Sequence, residues 1–509
     1  MEYLQLFFAA TPVLLLIILL GFLKVSGDKS ALITLGASIL IAIFCFEQNP
    51  IDTGMSFLFG ALKAIFPILI IIWMAIFSYN ILLQTKNMEV LKQQFSSISS
   101  DKCIQVLLIT WGFGGLLEGM AGFGTAVAIP AAILISLGFK PVFSALASLI
   151  ANSVATGFGA VGTPVKALAV EAGLDNIQHL SMDIVVQLGA LMFLVPFVLV
   201  MITDHSLKSL PKNIILSLLV GTVSFVVQYF SAKYIGAETP AILGSLASII
   251  VIIVFAKITA SKEEKENAKK QHKYSMGEIA SAWSVYGLIL ALVIFTSPLM
   301  PTVRTFLQGI ITTSIPLTIN GADKIIKITW LTDAGVLLFL GSMMGGLIQG
   351  ASLKSLFALL FKTFLQLKKT FITVMSLIGM ATIMDLSGMI LVLGKALAAA
   401  TGGLYPLFAP SIGCLGTFLT GSDTSSNILF GKLQANVANE LGIDTSWLAS
   451  ANTVGATGGK IISPQSIAVA TSACNLQGKE GEIMKKALPF AIGYIIVAGL
   501  IAYFFCIYV

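Results

Sequence analysis

The chain has 509 residues, of which 57 % are apolar and 11 % charged, with a formal net charge of +6 and a mean hydropathy of +0.95. Soluble domains carry roughly 45–50 % apolar and about 25 % charged residues, so this chain has too little charge to cover a water-exposed surface, and its solvent is lipid. A cytosolic enzyme, a disulfide-stapled secreted domain and a nucleic-acid binder are excluded.

The first apolar run, Leu4 to Leu23, is long enough to cross a bilayer. Glu2 precedes it and Lys24 and Lys29 follow it, the polarity of an N-out span rather than of a cleaved signal. Further runs lie near 31–46, 62–83, 104–137, 141–160, 183–203, 214–235, 240–257, 279–299, 331–350, 370–394, 404–420, 446–474 and 487–508. Several are glycine-broken, so the expectation is an all-α polytopic membrane protein with about 10–12 transmembrane helices. Lysines alternate between loops as the positive-inside rule requires: those holding Lys24/Lys29, Lys86/Lys92/Lys102, Lys208/Lys212 and Lys257 to Lys273 read as cytoplasmic. The charged tract from Lys262 reads as a solvated linker (259–278) between a first half, 1–258, and a second half, 279–509. The loop from Thr296 to Ile328 is expected outside, with the only arginine, Arg304, on its surface. Lys63 and Lys395 near span ends read as snorkelling side chains. The five cysteines and three histidines show no metal-ligand or disulfide spacing.

Self-similarity at an offset near 300 is the most informative feature. Residues 151–164 read ANSVATGFGAVGTP and residues 451–464 read ANTVGATGGKIISP, so that Asn152, Val154, Gly159 and Pro164 match Asn452, Val454, Gly459 and Pro464 without a gap. A second glycine-broken stretch precedes each, from Gly112 and from Gly416. Two blocks in the same order imply duplication, with repeat motifs at 104–170 and 404–475. Lys166, Glu171, Asp175 and Asp183 make the connection after the first block external, whereas Lys479, Lys485 and Lys486 make the one after the second internal. These flanks predict two inverted repeats with broken or re-entrant helices, the architecture of secondary transporters.

A helix broken at membrane depth frees N–H and C=O groups that lipid cannot satisfy, so the breaks must face protein or a wet cavity. Half-helix N-termini suit an anion. The tract Gly421-Ser422-Asp423-Thr424-Ser425-Ser426-Asn427 supplies N-cap residues and four hydroxyls for such a terminus. Four ionisable residues sit among apolar or small neighbours: Glu118, Asp385, Asp423 and Lys460. A charge at the bilayer centre costs roughly 2.5–3.5 kcal/mol on insertion scales, so each needs a partner, water or a changed protonation state. A desolvated carboxylate is a candidate proton carrier; Glu118, Asp423 and Asp385 are the candidates in that order, and Lys460 a candidate partner. Gly157 to Gly162 fits G-x-G-x-x-G without a βαβ unit, and Gly455 to Lys460 is a P-loop one residue short. With no ATP or metal site in the sequence, no cofactor is expected.

At these blocks the chain resembles the L-lactate permease family of bacteria, which includes glycolate permeases. The resemblance is carried by LLEGMAGFGT (116–125), FGAVGTP (158–164), FLTGSDTSSN (418–427) and SPQSIA (463–468), and length and hydropathy extend it over nearly the whole chain. It implies uptake of lactate, and of other short 2-hydroxymonocarboxylates, with protons across the bacterial inner membrane. It also implies site residues at Glu118, Gly122, Gly124, Thr163, Asp423, Thr424, Ser425, Ser426, Asn427, Ser463 and Gln465. Two positions depart from the family pattern: Asp385 stands where the family commonly has Asn, and Lys166 where an apolar residue is usual. The alternatives are sodium symport, with Asn152, Asn452 and Asp423 as oxygen ligands, and a passive anion channel.

Overall fold

The computed structural model describes residues 2–19, 23, 25–96, 98–122, 124–206, 208–260, 274–476 and 479–506. Its helices, in chain order, are α1 (Glu2–Ile17), α2 (Gly27–Cys45), α3 (Pro50–Lys63), α4 (Ile70–Gln84), α5 (Asn87–Ser96), α6 (Lys102–Met120), α7 (Thr125–Ser136), α8 (Pro141–Thr156), α9 (Gly159–Ala172), α10 (Ile177–Thr203), α11 (Leu210–Tyr234) and α12 (Pro240–Thr259). They continue as α13 (Met276–Phe295), α14 (Pro301–Ile310), α15 (Ala334–Ile348), α16 (Leu353–Gln366), α17 (Lys368–Leu386), α18 (Met389–Thr401), α19 (Tyr405–Thr420), α20 (Asp423–Leu441), α21 (Thr445–Lys460), α22 (Pro464–Ala473) and α23 (Glu480–Phe505). Among the described residues, ten helices are long and apolar enough to cross a membrane, or eleven if the bent pair α8–α9 is one span. The protein is a multi-pass membrane protein. The charged tract beyond Ala260 lies outside the described residues up to Lys273.

Two apolar runs fold back instead of crossing. In the first, α6 stops at Met120, Ala121 and Gly122 leave the helix, and α7 returns beside it from Thr125: a methyl group on Gly114 would sit 3.2 Å from Pro130 Cγ. Gly122 and Gly124 are left-handed (φ 63° and 84°), a conformation glycine adopts without steric cost. In the second, α19 ends at Thr420, Gly421 turns at φ 71°, and α20 returns. Here Ser426 Oγ donates to the Gly413 carbonyl at 2.7 Å and Gln434 Nε2 to that of Ala409 at 3.3 Å. After each hairpin comes a broken helix. Helices α8 and α9 meet at 50°, and α21 gives way to α22 across Ile461 to Ser463.

Helix α10 fixes the relation between the hairpins. Near its C-terminal end, the Val200 carbonyl accepts from Cys103 Sγ (3.8 Å) at the start of α6, and Lys212, just beyond α10, pairs with Asp101. Near its N-terminal end, Asp183 accepts from Ser446 Oγ (2.5 Å) and Gln187 Nε2 donates to the Trp447 carbonyl (2.7 Å), both at the start of α21. The base of one hairpin and the base of the other thus lie at opposite ends of one spanning helix, and their tips point toward each other.

Several expectations are corrected. The glycine-broken runs 104–137 and 446–474, expected not to be simple crossings, are a hairpin and a broken helix, and 404–420 is one arm of a hairpin. The loop expected at 296–328 contains α14 and a two-stranded antiparallel hairpin, β1 (Thr312–Ile319) and β2 (Ala322–Thr329), in a register from Thr312↔Thr329 to Ile319↔Ala322. Its turn, Asn320-Gly321, has both φ positive, the geometry that favours Asn-Gly, and Asn320 donates to Asp52 Oδ1 (3.1 Å) and the Leu386 carbonyl (3.2 Å). Lys166, Glu171 and Asp183, read as loop charges, are buried in helices. Lys63 does not snorkel: its ammonium pairs with buried Glu171 at 3.2 Å. Helix α16 has no counterpart among the apolar runs; it lays buried Leu356 and Thr363 against α4 and exposes Leu353, Phe357 and Phe361.

Close approach of backbones holds the second hairpin to α21. A methyl on Gly455 would sit 1.8 Å from the Pro410 carbonyl oxygen, and one on Gly413 would sit 2.0 Å from that of Asn452. Only hydrogen fits there, so Gly455→Ala forces the helices apart at a cost of about 3 kcal/mol. Size-exclusion chromatography in detergent should show loss of monodisperse protein for Gly455→Ala. Gly36→Ala, with nothing within 4 Å of the added methyl, should elute as wild type.

Candidate functional site

A cavity of about 890 Å³ opens where the two hairpin tips meet the two helix breaks. Its inner wall is formed by Glu118, Gly122, Gly124, Thr156, Gly159, Ala160, Pro164, the stretch Phe418 to Ser425, Lys460, Pro464, Gln465 and Ser466. Its mouth is formed by Ser26, Gly27 and Asp28 at the start of α2 and by Lys369, Thr370 and Thr373 at the start of α17. The cavity therefore lies between the hairpin core and the helices α1, α2, α4 and α17.

Local sequence accounts for the gathering of polar backbone here. Ser422 caps α20, its Oγ accepting from the Ser425 N–H at 3.2 Å, and Ser463 caps α22 in the same way through the Ser466 N–H at 3.1 Å. The break before Pro164 runs through three consecutive left-handed residues, Ala160 (φ 43°), Val161 (φ 55°) and Gly162 (φ 74°). A β-branched residue there costs on the order of 1–3 kcal/mol, a strain found mostly at functional sites. Four shortened helices, α7, α9, α20 and α22, thus begin around one space. The first N–H groups of each lack partners within the helix, and their dipoles favour negative charge.

Three ionisable groups share the inner wall. Glu118 is 4 % and Asp423 3 % exposed. Glu118 Oε2 and Asp423 Oδ2 are both buried without a hydrogen-bond partner. The Glu118 carboxyl lies against the α8–α9 break, where a methyl on Gly159 would come within 2.6 Å of Oε1, and Asn152 lies beside it. Thr417 Oγ1 donates to Asp423 Oδ1 at 3.2 Å. Lys460 Nζ donates to the Gly421 carbonyl at 2.9 Å; it makes no ion pair with either carboxylate.

The structure divides the residues singled out from sequence. Glu118, Gly122, Gly124, Ser422, Asp423, Thr424, Ser425, Lys460 and Gln465 line the cavity. Thr163, Ser426, Asn427 and Ser463 do not: Thr163 Oγ1 donates to the Ala160 carbonyl (2.6 Å), Ser426 Oγ to that of Gly413, and Ser463 Oγ to Ser466 Oγ (2.9 Å). Asn427 is a structural tie, its amide donating to the Pro164 carbonyl (2.9 Å) and Thr453 Oγ1 (2.8 Å) while its own carbonyl accepts from Asn452 Nδ2 (3.0 Å). Asn452 is taken up further by Gln434 (3.2 Å), and neither Asn152 nor Asn452 reaches the cavity wall, so the oxygen set considered for sodium is not assembled there. Asp385 lies apart and pairs with Lys432 at 3.5 Å. Lys166 pairs with Glu238 at 2.9 Å. Ser466, within the 463–466 stretch whose hydroxyls and N–H groups were expected to hold the substrate, lines the cavity, and Thr156 and the mouth residues Asp28 and Lys369 join the site without having been singled out from sequence. Ser466 is legible as the third residue of a half-helix; the mouth residues carry no local signal, because tertiary packing alone brings α2 and α17 together.

A sequence profile described as L-lactate permease matches residues 5–509. The chain belongs to the L-lactate permease family. It is 39 % identical to an L-lactate permease of Streptococcus iniae over 88 % of this chain and 93 % of that one. It is 34 % identical to the glycolate permease GlcA of Escherichia coli strain K12 over 97 % and 94 %, and 32 % identical to an L-lactate permease of Bacillus subtilis strain 168 over the same shares. Among solved structures the Alcanivorax borkumensis YdaH transporter superposes with a TM-score of 0.50 at 12 % identity, covering 89 % of this chain and 88 % of that one, a likeness of fold alone. This member of the L-lactate permease family is a permease and not an enzyme.

Asn427→Ala leaves the Pro164 carbonyl and Thr453 in a dry interior, at a cost of roughly 1–3 kcal/mol. Thermal unfolding in detergent should show a lowered Tm for Asn427→Ala, and a near-wild-type Tm for Thr424→Ala.

Proposed function

We propose that this permease imports lactate, and glycolate or other short 2-hydroxymonocarboxylates, by proton symport across the bacterial inner membrane. The observation that carries the reading is the meeting of half-helix N-termini and two partnerless carboxyl oxygens, those of Glu118 and Asp423, on one cavity wall. The first feature suits an anion; the second suits a proton. The hydroxyls of Ser422, Thr424 and Ser425 and the amide of Gln465 line the same wall and offer donors and acceptors to a 2-hydroxyl group.

Coupling follows from charge. An ionised Glu118 or Asp423 repels an entering carboxylate, and a protonated one does not, so protonation favours substrate binding. By linkage the substrate favours protonation to the same degree. Lactate affinity should therefore fall as pH rises through the titration of the coupling carboxyl.

Opposite ends of α10 make the two hairpins an antiparallel pair, which supports an inverted-repeat transporter. The half-helices exchange partners in a matching way: α7 of the first unit packs on α22 of the second, and α20 of the second on α9 of the first. The mouth carries Lys369, and Met484 at the lysine-bearing start of α23 lines the same cavity, so this face reads as cytoplasmic. On the far side, two ion pairs join the hairpin core to its surround: Glu171 of α9 to Lys63 of α3, and Lys432 of α20 to Asp385 of α17. An inward-open form sealed outside by these pairs is the state this geometry supports.

Proteoliposomes test the proposal. Glu118→Gln should abolish lactate accumulation driven by a pH gradient while keeping lactate–lactate exchange, and sodium should have no effect on the wild type. Wild-type accumulation by Glu118→Gln removes that carboxyl from the proton path, and accumulation that needs sodium at fixed pH overturns proton symport.

A further inference from the structure

Each charged cluster in the molecule answers to a different demand. The trio His179, Asp183 and Asp444, whose ligand atoms lie within 4.8 Å of one another, is taken up by Ser446 and by the cap of α21: Ser446 Oγ lies 3.2 Å from His179 Nδ1, and Asp444 Oδ1 accepts from the Trp447 N–H at 2.8 Å. The outer ion pairs are satisfied among themselves. Lys460 is different. It is a half-buried cation on the wall of a cavity that also carries two buried carboxyl groups, close enough to both to act on them electrostatically. Among the described residues it forms no ion pair with either.

We infer that Lys460 is the specificity-determining cation of the cavity, the group that recognises the carboxylate of the transported hydroxy acid; this rests on the proposed transport of such acids. Three observations carry it. First, Ser422 and Ser463 already occupy the Ser425 and Ser466 N–H groups and Pro464 has none, so the starts of α20 and α22 offer an entering carboxylate fewer free N–H groups than uncapped starts would. Second, the inner wall holds two acids and one base, so an entering anion meets net negative charge unless a full positive charge stands beside it. Third, Lys460 donates to one carbonyl, Gly421 at the hairpin tip, while an ammonium has three hydrogens to give. Gly421 and Gln465 are in direct contact, since a methyl on Gly421 would lie 2.0 Å from Gln465 Oε1. The ammonium is therefore held at the Gly421 tip, on a wall that Ser422 and Gln465 also line, where it can exchange a neutral carbonyl for a carboxylate without leaving the site. Lys369, the other cation on the cavity, is exposed at the mouth, where water and salt screen it. Lys460 at the same time holds the charge of the empty site down, so that one of the two acids can stay ionised beside the substrate.

A neutral isostere separates recognition of charge from mere fit. Competition binding to the purified full-length protein in detergent compares lactate with lactamide, in which the carboxylate is an uncharged amide. Wild type should prefer lactate, and Lys460→Gln should lose at least about tenfold of that preference with lactamide affinity unchanged, while Lys354→Gln, on the exposed side of α16 and off the cavity wall, keeps it. An unchanged preference in Lys460→Gln overturns the inference, and so does an equal loss for both ligands, which marks a structural role. If lactamide binds to neither protein, Lys460→Arg decides: lactate affinity restored above that of Lys460→Gln supports the assignment, and affinity as weak as Lys460→Gln contradicts it. Wild-type protein that binds no lactate at all overturns the proposed substrate together with this residue's role, an outcome distinct from a wild type that binds and a variant that does not discriminate.

Discussion

Backbone groups freed by breaking a helix cannot be left in hydrocarbon, and nearly every feature of this protein follows from where four such breaks are put. The chain interrupts itself at Ala121–Gly124, Phe158–Gly162, Gly421–Ser422 and Ile461–Ser463, and surrounds the interruptions with protein. The first arm of the first hairpin shows the extent of this: it is almost wholly buried inside the molecule although it is apolar enough to cross a membrane. The outer helices α1, α2, α11 and α12 present exposed leucines and isoleucines such as Leu4, Leu40, Ile215, Leu218 and Ile250, and so allow the inner segments to be short, bent and polar. Strain at Ala160 and Val161 and hydrogen-only contacts at Gly413 and Gly455 are the local costs of that nesting.

The same constraint makes one cavity both anion-seeking and acid-lined. Half-helix starts provide partial positive charge that is fixed in place and needs no counter-ion. That field acts on the Asp423 carboxyl at the start of α20 as it would on a ligand. The wall thus carries its own acids, and under the proposed symport an incoming carboxylate is accepted only with a change in protonation or with help from Lys460. In that proposal selectivity and coupling are one electrostatic problem, set by the ratio of acids to bases on the wall.

Much of this is legible in the sequence, because clustered glycine and serine break an apolar run where the backbone must turn or a helix end must be capped. The hairpin tips at Gly122, Gly124 and Gly421 and the caps at Ser422 and Ser463 stand out as glycine or hydroxyl residues interrupting hydropathy. Direction does not show in the same way. Ser425 and Ser426 are adjacent and chemically alike, yet one faces the cavity and the other the Gly413 carbonyl, because successive helical positions are rotated by about 100°. Asn427 and Asn452 look like ligands in a sequence and prove to be the bolts between α20, α21 and the break of α9. Asp385 and Lys63 mislead for a different reason: their partners, Lys432 and Glu171, are far off in the chain, and only the packing of α17 and α3 on the core brings them together.

The central claim is that a small hydroxy acid sits between the hairpin tips, against the starts of α20 and α22 and within reach of Glu118. A structure of the protein with lactate bound tests it most directly. The account predicts ligand density bounded by Gly124, Ser422 to Ser425, Lys460 and Gln465. Density confined to the mouth near Asp28 and Lys369, or lodged among the outer helices, would contradict it.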